Sequence, residues 1–202
     1  SGRTAGAAIV VRATTDGTVI ERNLIVDSTC GIAVGLTDEP SDYARQGERA
    51  YDHAGGVVRN NVVVNLNRWA DEGIEANAAR DTRIEHNTVL VDGSTPWSIS
   101  IRFPASDALI RNNLTNHRIF LRDGGRASLD GNVTSARRSW FVDAPRADLH
   151  LSTDGRPAID AGVPIADVTD DFDRTARPAG RAPDAGAFEV SVLRPGRSAR
   201  GR

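Results

Sequence analysis

The chain has 202 residues, 39% of them hydrophobic, and a formal net charge of −2 at pH 7. This length suffices for one domain with its own core, and the charge excludes the basic excess typical of nucleic-acid binding. No apolar run approaches the roughly 18 residues that a membrane-spanning helix requires. The single cysteine, Cys30, excludes an internal disulfide framework and is predicted to be a small buried side chain.

A short pattern of the common form apolar-x-x-Asn-x-apolar recurs five times along the chain. Its successive spacings are 38, 26, 26 and 19 residues, and its Asn residues are Asn23, Asn61, Asn87, Asn113 and Asn132. Unequal spacings around a constant core exclude a helical solenoid with repeats of fixed length. They indicate one recurring strand joined by loops of variable length.

An amide inside an apolar strand needs partners, because a buried polar group without one costs roughly 1–3 kcal/mol. When equivalent strands stack about 4.7–4.9 Å apart, each Asn side chain can donate to one neighbour and accept from the other. The pattern therefore predicts an internal Asn ladder. Asn113 and Asn132 also match the N-glycosylation acceptor, but their inward position predicts a structural role.

A second strand-like segment follows each Asn segment, at residues 31–36, 73–78, 98–103, 118–123 and 139–144. Alternation with a period of two predicts an apolar inner face formed by Ile32, Val34, Ile74, Ala76, Ile99, Ile101, Ile119 and Leu121. The opposite face then carries Glu75, Asn77, Ser100, Arg102, Phe120 and Arg122. If the segments stack in register, Asn77, Arg102, Arg122 and Asp143 form one line.

Two stacked strand columns, each with a buried and a solvated side, predict an all-β fold, a parallel β-helix or solenoid. Parallel strands normally need a long crossover, which a coil of several short strands avoids by closing on itself. Residues 1–145 are predicted as coils, with the free N-terminal edge covered by upstream coils or another chain. Residues 146–189 are predicted as an irregular strand and cap over the open end, and residues 190–202 as a mobile tail.

The longest interruption of the repeat lies at 36–55 and carries Tyr43, Tyr51 and His53. Long loops in compact folds are often functional. The opening residues show neither a starting Met nor a signal segment, which predicts that the chain begins where a longer precursor was cut.

The residues described so far resemble bacterial right-handed parallel β-helix proteins of the pectate-lyase-like superfamily, over about residues 17–189. The C-terminal segment is also similar to that of many large secreted bacterial β-helix proteins. The matching positions are Asp171, Asp173, Arg177, Pro178, Asp184, Gly186, Ala187 and Glu189, whereas Arg174 and Ala185 replace the usual Gly and Ile. The resemblance implies a right-handed coil and a secreted or cell-surface location.

The resemblance also implies that acidic polysaccharide binds along the outside of one parallel sheet, and that a lyase cleaves it by β-elimination. Arg102 and Arg122 would then neutralise a uronate carboxylate, with Tyr51 and His53 as base and acid. The implied substrate-binding residues are Asn77, Ser100, Phe120, Asp143, Trp69 and Trp97. Calcium, where it takes part, would be held by the oxygen ligands of Asp71, Glu72 and Glu75.

Each of these candidates has a plainer interpretation as a cross-strand pair, a loop-packing residue or a solvated acidic turn. The chain contains no Lys, which excludes the Lys-base mechanism of the chondroitin- and alginate-cleaving β-helix lyases and leaves an Arg base open. Asp143 is the only Asp predicted on this face that could serve a hydrolase. The alternative function is a non-catalytic carbohydrate-binding or surface-architecture module of a larger extracellular protein. A third alternative is a trimeric protein that is similar to a phage tail spike.

Overall fold

The computed structural model describes residues 6–13, 15–36, 50–93 and 95–191. Most of the strands belong to four parallel sheets, here named A to D, with strands numbered in chain order. Sheet A contains β1 (Ala7–Val11), β5 (Cys30–Val34), β9 (Glu72–Asn77), β13 (Trp97–Arg102) and β16 (Arg118–Arg122). Sheet B contains β2 (Thr15–Asp16), β6 (His53–Ala54) and β10 (Ala79–Arg80).

Sheet C contains β3 (Val19–Glu21), β7 (Val57–Arg59), β11 (Thr82–Glu85), β14 (Asp107–Arg111) and β17 (Arg126–Asp130). Sheet D contains β4 (Leu24–Val26), β8 (Val62–Asn65), β12 (Thr88–Val91) and β15 (Leu114–Thr115). Along the chain, strands pass from A through B, C and D and back to A, and the passages after β13 and β16 omit B. The neighbours within each sheet are therefore one repeat apart in the sequence, which confirms an all-β fold built from parallel sheets.

The predicted Asn ladder is present at the turn from sheet C to sheet D. Side-chain Nδ2 to Oδ1 distances along the ladder are 3.0, 3.0, 2.9 and 2.9 Å, from Asn23 to Asn132. Each backbone N–H from Asn23 to Asn113 also donates to the Oδ1 of the next ladder Asn, at 3.0 Å. The residue before each ladder Asn has a left-handed φ between 53° and 60°, which turns the chain between the two sheets.

The main core lies between the sheets and is filled by β-branched side chains from successive repeats. Ile32, Ile74 and Ile99 stack in register in sheet A and are fully buried. Ile84 and Ile110 do the same in sheet C. The predicted inner face of the second strand column is confirmed for Ile32, Ile74 and Ile99. Leu121, on the last strand of sheet A, is 37% exposed because it lies at the end of the stack.

The segment after residue 135 departs from the repeat. It contains 3-10 helices at Arg138–Trp140, Ala144–Arg146 and Thr153–Ala158, and an antiparallel pair of β18 (Phe141–Asp143) and β19 (Asp148–Leu151). The prediction that residues 139–144 extend the second strand column is therefore wrong. Apolar alternation alone does not specify whether a strand pairs parallel or antiparallel. Strand β1, in contrast, opens sheet A and was not predicted.

The C-terminal segment packs against the outer face of sheet D. Val62, Val64 and Leu90 share a second hydrophobic cluster with Leu149 and Phe188, among others. This position differs from the predicted one over the open end of the stack, where Leu129 remains 51% exposed. Most of the 36–55 interruption, with Tyr43, and the tail from residue 192 lie outside the described residues.

Candidate functional site

The outer face of sheet A carries most of the predicted site residues. In one row, Glu75, Ser100 and Phe120 are register partners on β9, β13 and β16. In the next row, Asn77, Arg102 and Arg122 are partners in the same way. Because neighbouring strands lie about 4.7–4.9 Å apart, each row brings its side chains within mutual reach. Asp143 lies outside this face, on β18.

A local irregularity at the start of these strands adds a third row. A Cβ placed on Gly73 would lie 2.1 Å from Val89 Cγ1, so the Gly73 position faces the core. The next residue, Ile74, also faces the core, so two consecutive positions point inward. Glu72 is thereby turned to the outer side, where it lies near Glu75. The register also shifts between Trp97 and Ile99, and Trp97 projects towards the outer side of β16.

Aromatic and guanidinium groups pack together at the β16 end of the face. The ring centroids of Trp97 and Phe120 are 5.0 Å apart, with planes tilted by 35°. The Arg122 guanidinium carbon lies 5.2 Å from the Trp97 centroid, and that of Arg118 lies 4.3 Å from the Phe120 centroid. Both distances are within the range of about 6 Å for a cation–π contact. These contacts fix a mixed aromatic and basic surface.

Arg102 and Arg122 converge on one carboxylate. Arg102 Nε is 2.5 Å and Arg122 Nε is 3.7 Å from Oδ2 of Asp123, whose side chain is half exposed. The hydrogen bond from Arg102 is the main cause that lowers the pKa of Asp123. Two cations facing one anion leave a net positive charge in this row. The arrangement can therefore hold a second carboxylate brought by a ligand.

Four polar atoms on this face are buried and have no hydrogen-bond partner among the residues that the structure describes. They are Glu72 Oε2, Asn77 Oδ1, Ser100 Oγ and Trp97 Nε1. The Ser100 hydroxyl is close enough to Glu72 to affect its titration, but it lacks the geometry of a hydrogen bond. Unpaired buried polar atoms are uncommon in folded proteins. Their concentration on β9 and β13 marks this part of the sheet as a functional-site candidate.

Glu72 is 3% exposed, and its burial raises its pKa to about 8, with further contributions from the negative charges of Glu75 and Asp71. When the pKa of a carboxyl group is higher in the folded than in the unfolded state, its contribution to protein stability falls as the pH rises from about 4.5 through the folded-state pKa. We expect Glu72→Gln to raise the free energy of unfolding at pH 9 more than at pH 5. Urea denaturation at the two pH values measures this, and an equal effect at both would contradict it.

The predicted metal ligands do not form a joint site. In the described ranges, no three or more His, Cys, Asp or Glu side chains are placed to hold a metal ion. Asp71 precedes β9 and is exposed, whereas Glu72 is buried on the outer face of the strand. The residues thus do not fit the calcium site that the resemblance implies, and no chemical step is assigned to a metal.

Trp69 lies in the turn before β9, 45% exposed, with the Arg68 guanidinium 3.8 Å above its ring. His53 belongs to β6 in sheet B, is fully buried and has Nε2 3.1 Å from Thr18 Oγ1. Burial lowers the pKa of His53, which keeps it neutral. Tyr51 is half-buried and packs near Arg80. The structure thus brings Arg102 and Arg122 together but leaves His53 facing the interior of an adjacent sheet.

Two residues of this surface were missed by sequence reasoning. Asp123 immediately follows β16 and bridges the two arginines, and Arg118 opens β16 beside Phe120. Asp123 could have been found from the sequence, because it directly follows Arg122. The position of Arg118 depends on the register shift between Trp97 and Ile99. In the sequence, this shift could have been indicated by the small residue Ser98, which lies between them.

Among the described residues, no helix is long and apolar enough to cross a membrane. Comparisons of the chain with protein-family models, with curated proteins and with solved structures find no match.

Proposed function

We propose that the chain is a right-handed parallel β-helix module that binds acidic polysaccharide along the outer face of sheet A, outside the cell or at its surface. The cyclic order of sheets along the chain and the one-repeat pairing within each sheet support a coiled path. The Asn ladder supports it further, because it joins five successive repeats at one position.

The observation that carries the binding proposal is the combination of Arg102 and Arg122 with the Trp97–Phe120 pair. Guanidinium groups bind carboxylates bidentately, and aromatic rings stack on the apolar faces of sugars. Asp123 offsets only one of the two positive charges in this row. A uronic-acid unit offers both a carboxylate for the remaining charge and a ring face for the aromatic pair. Asn77 and Ser100 supply polar atoms that have no hydrogen-bond partner in the described part of the chain.

Binding without bond cleavage is the function that this geometry supports best. A β-eliminating enzyme needs a base and an acid beside the group that neutralises the uronate. His53 is buried with its Nε2 at Thr18, so it does not supply this pair. Tyr51 packs near Arg80 of sheet B.

A β-eliminating polysaccharide lyase is the second candidate, and Glu72 is the observation that favours it. Its raised pKa keeps a proton on the carboxyl group at neutral pH, and it lies on the same face as the arginines. Such a group can donate a proton to a leaving oxygen, with an Arg as the base. Absorbance of the unsaturated product, followed for the wild type and Glu72→Gln on a panel of uronic-acid polysaccharides, separates the two candidates.

Isothermal titration calorimetry with uronic-acid polysaccharides and a neutral glucan tests the binding proposal. We expect binding to the acidic polymers alone, and Arg122→Ala to weaken it about tenfold or more, since hydrogen bonds to charged groups contribute about 1.5–3 kcal/mol. Arg126→Ala is the matched control, because Arg126 is an exposed arginine on β17, which belongs to sheet C rather than sheet A. Equal binding of the neutral glucan, or equal losses in the two variants, would refute it.

A further inference from the structure

A column of alternating charges runs along the final position of the strands in sheet C. Strand register places its members in the order Glu21, Arg59, Glu85, Arg111 and Asp130. Acidic and basic residues alternate at every step. Since the column has an odd number of members, both of its ends are acidic.

The contacts within the column show that the alternation stabilises the strand register. Arg59 Nε lies 2.7 Å from Glu21 Oε2, and Arg111 Nη2 lies 2.5 Å from Glu85 Oε1. The Glu85 side chain is fully buried, and Arg111 compensates its charge. Opposite charges on neighbouring strands stabilise their pairing, whereas like charges directly opposite destabilise it.

Both ends of the column lie on open sheet edges. Strand β3 is the first strand of sheet C and β17 is the last. Edge strands present backbone groups that can pair with another chain. Apolar side chains are also exposed there, with Val19 54% and Leu129 51% exposed.

The β17 edge has a surface that fits a further strand. A cavity of about 380 Å³ adjoins it, lined by Ile119, Leu129, Asp130, Asn132 and others. Asn132 is the last member of the ladder, and its Oδ1 accepts from Asn113. An added strand would thus meet an apolar surface, the end of the ladder and the carboxylate of Asp130.

We propose that the β17 edge accepts a parallel strand of a partner that brings Arg or Lys beside Asp130, and that it rejects a second copy of this chain. A partner strand with a basic residue two positions before an Asn would continue both the charge column and the ladder. Arg59 and Asn61, or Arg111 and Asn113, have this spacing within the chain. A second copy would instead stack its β3 on β17 and place Glu21 beside Asp130.

Reversing the charge at the ends of the charge column tests this proposal. The β3 edge of a second copy of the chain serves as the probe strand. Asp130→Arg makes the β17 edge basic and leaves the β3 edge acidic, so copies become complementary. The substitution also places like charges opposite each other at positions 130 and 111, so hydrogen exchange should show that β17 stays paired with β14 in this variant. We expect the wild type to sediment as a monomer from about 1 μM to about 1 mM, a range that covers weak contacts, and Asp130→Arg to form larger species. The double variant Asp130→Arg, Glu21→Arg has two basic ends and should return to a monomer.

Ser128→Arg is the matched control, because it adds the same charge to β17 outside the column. It should sediment as the wild type does, and circular dichroism should show that every variant is folded. A monomeric Asp130→Arg, a double variant that associates as strongly as the single one, or equal association of Ser128→Arg would each overturn the proposal.

Discussion

We expect Asn87→Leu to lower the free energy of unfolding by roughly 3–5 kcal/mol, because buried groups left unpaired cost about 1–3 kcal/mol each. Asn87 is fully buried in the middle of the ladder. Its Oδ1 accepts from the backbone N–H and Nδ2 of Asn61, and its Nδ2 donates to Asn113 Oδ1 and the Val58 carbonyl. Leucine has a similar volume but leaves the Asn61 backbone N–H without this acceptor and removes one hydrogen bond each from Asn61 Nδ2, Asn113 Oδ1 and the Val58 carbonyl. Urea denaturation followed by circular dichroism measures the loss.

Asn23→Leu provides the comparison at the end of the ladder. Asn23 is only partly buried, and its side chain donates to Asn61 Oδ1 and the Glu21 carbonyl. After its loss, Asn61 Oδ1 still accepts from the backbone N–H of residue 23, so we expect a cost of about 1 kcal/mol. Equal losses for the two substitutions would show that stacking of the amides is not the source of the stability.

Arg177→Met is expected to destabilise the protein by about 3–5 kcal/mol, because it leaves a buried carboxylate uncompensated. The side chains of Arg177 and Glu189 are 1% and 0% exposed, and Arg177 Nη1 donates to Glu189. Arg177 Nη2 also donates to the Gly186 carbonyl at 2.9 Å and to Asn60 Oδ1 at 3.2 Å. The substitution therefore loosens both the C-terminal segment and its attachment to the sheets.

Arg146→Met is the control for that substitution. Arg146 pairs with Asp143 at 2.7 Å, but its side chain is 73% exposed. Exposed ion pairs contribute about 0–1 kcal/mol, so this variant should unfold close to the wild type. Denaturation midpoints measured under one buffer condition compare the two. A loss at Arg146 as large as that at Arg177 would mean that burial does not set the cost.

Residue periodicity predicted the parts of the fold that repeat. The ladder positions from Asn23 to Asn132 followed from a polar residue recurring in an apolar frame, and the rows of Ser100 and Arg102 followed from strict alternation. The charge column was also visible in principle, because each of its members stands two positions before a ladder Asn. These features depend on spacing, which the sequence contains directly.

Other parts of the candidate site could not be predicted, because they depend on local departures from the period. The outward turn of Glu72 requires two consecutive inward residues, and only the small size of Gly73 permits it. The pairing of β18 with β19 depends on tertiary packing rather than on alternation. The burial of His53 could not be predicted, because a short strand in a corner carries no periodic signal.

The C-terminal segment changes how unfolding can proceed. Stacked repeats that touch only their neighbours can open one at a time from either end. Here Arg22 donates to the Asp171 carbonyl, Asn60 to that of Asp170, and Asn112 to that of Val163. One late stretch of sequence thereby clamps early, middle and late repeats together. We therefore expect a single cooperative unfolding transition in place of the fraying of a linear array, and a nascent chain completes these contacts only once residues 163–171 have left the ribosome.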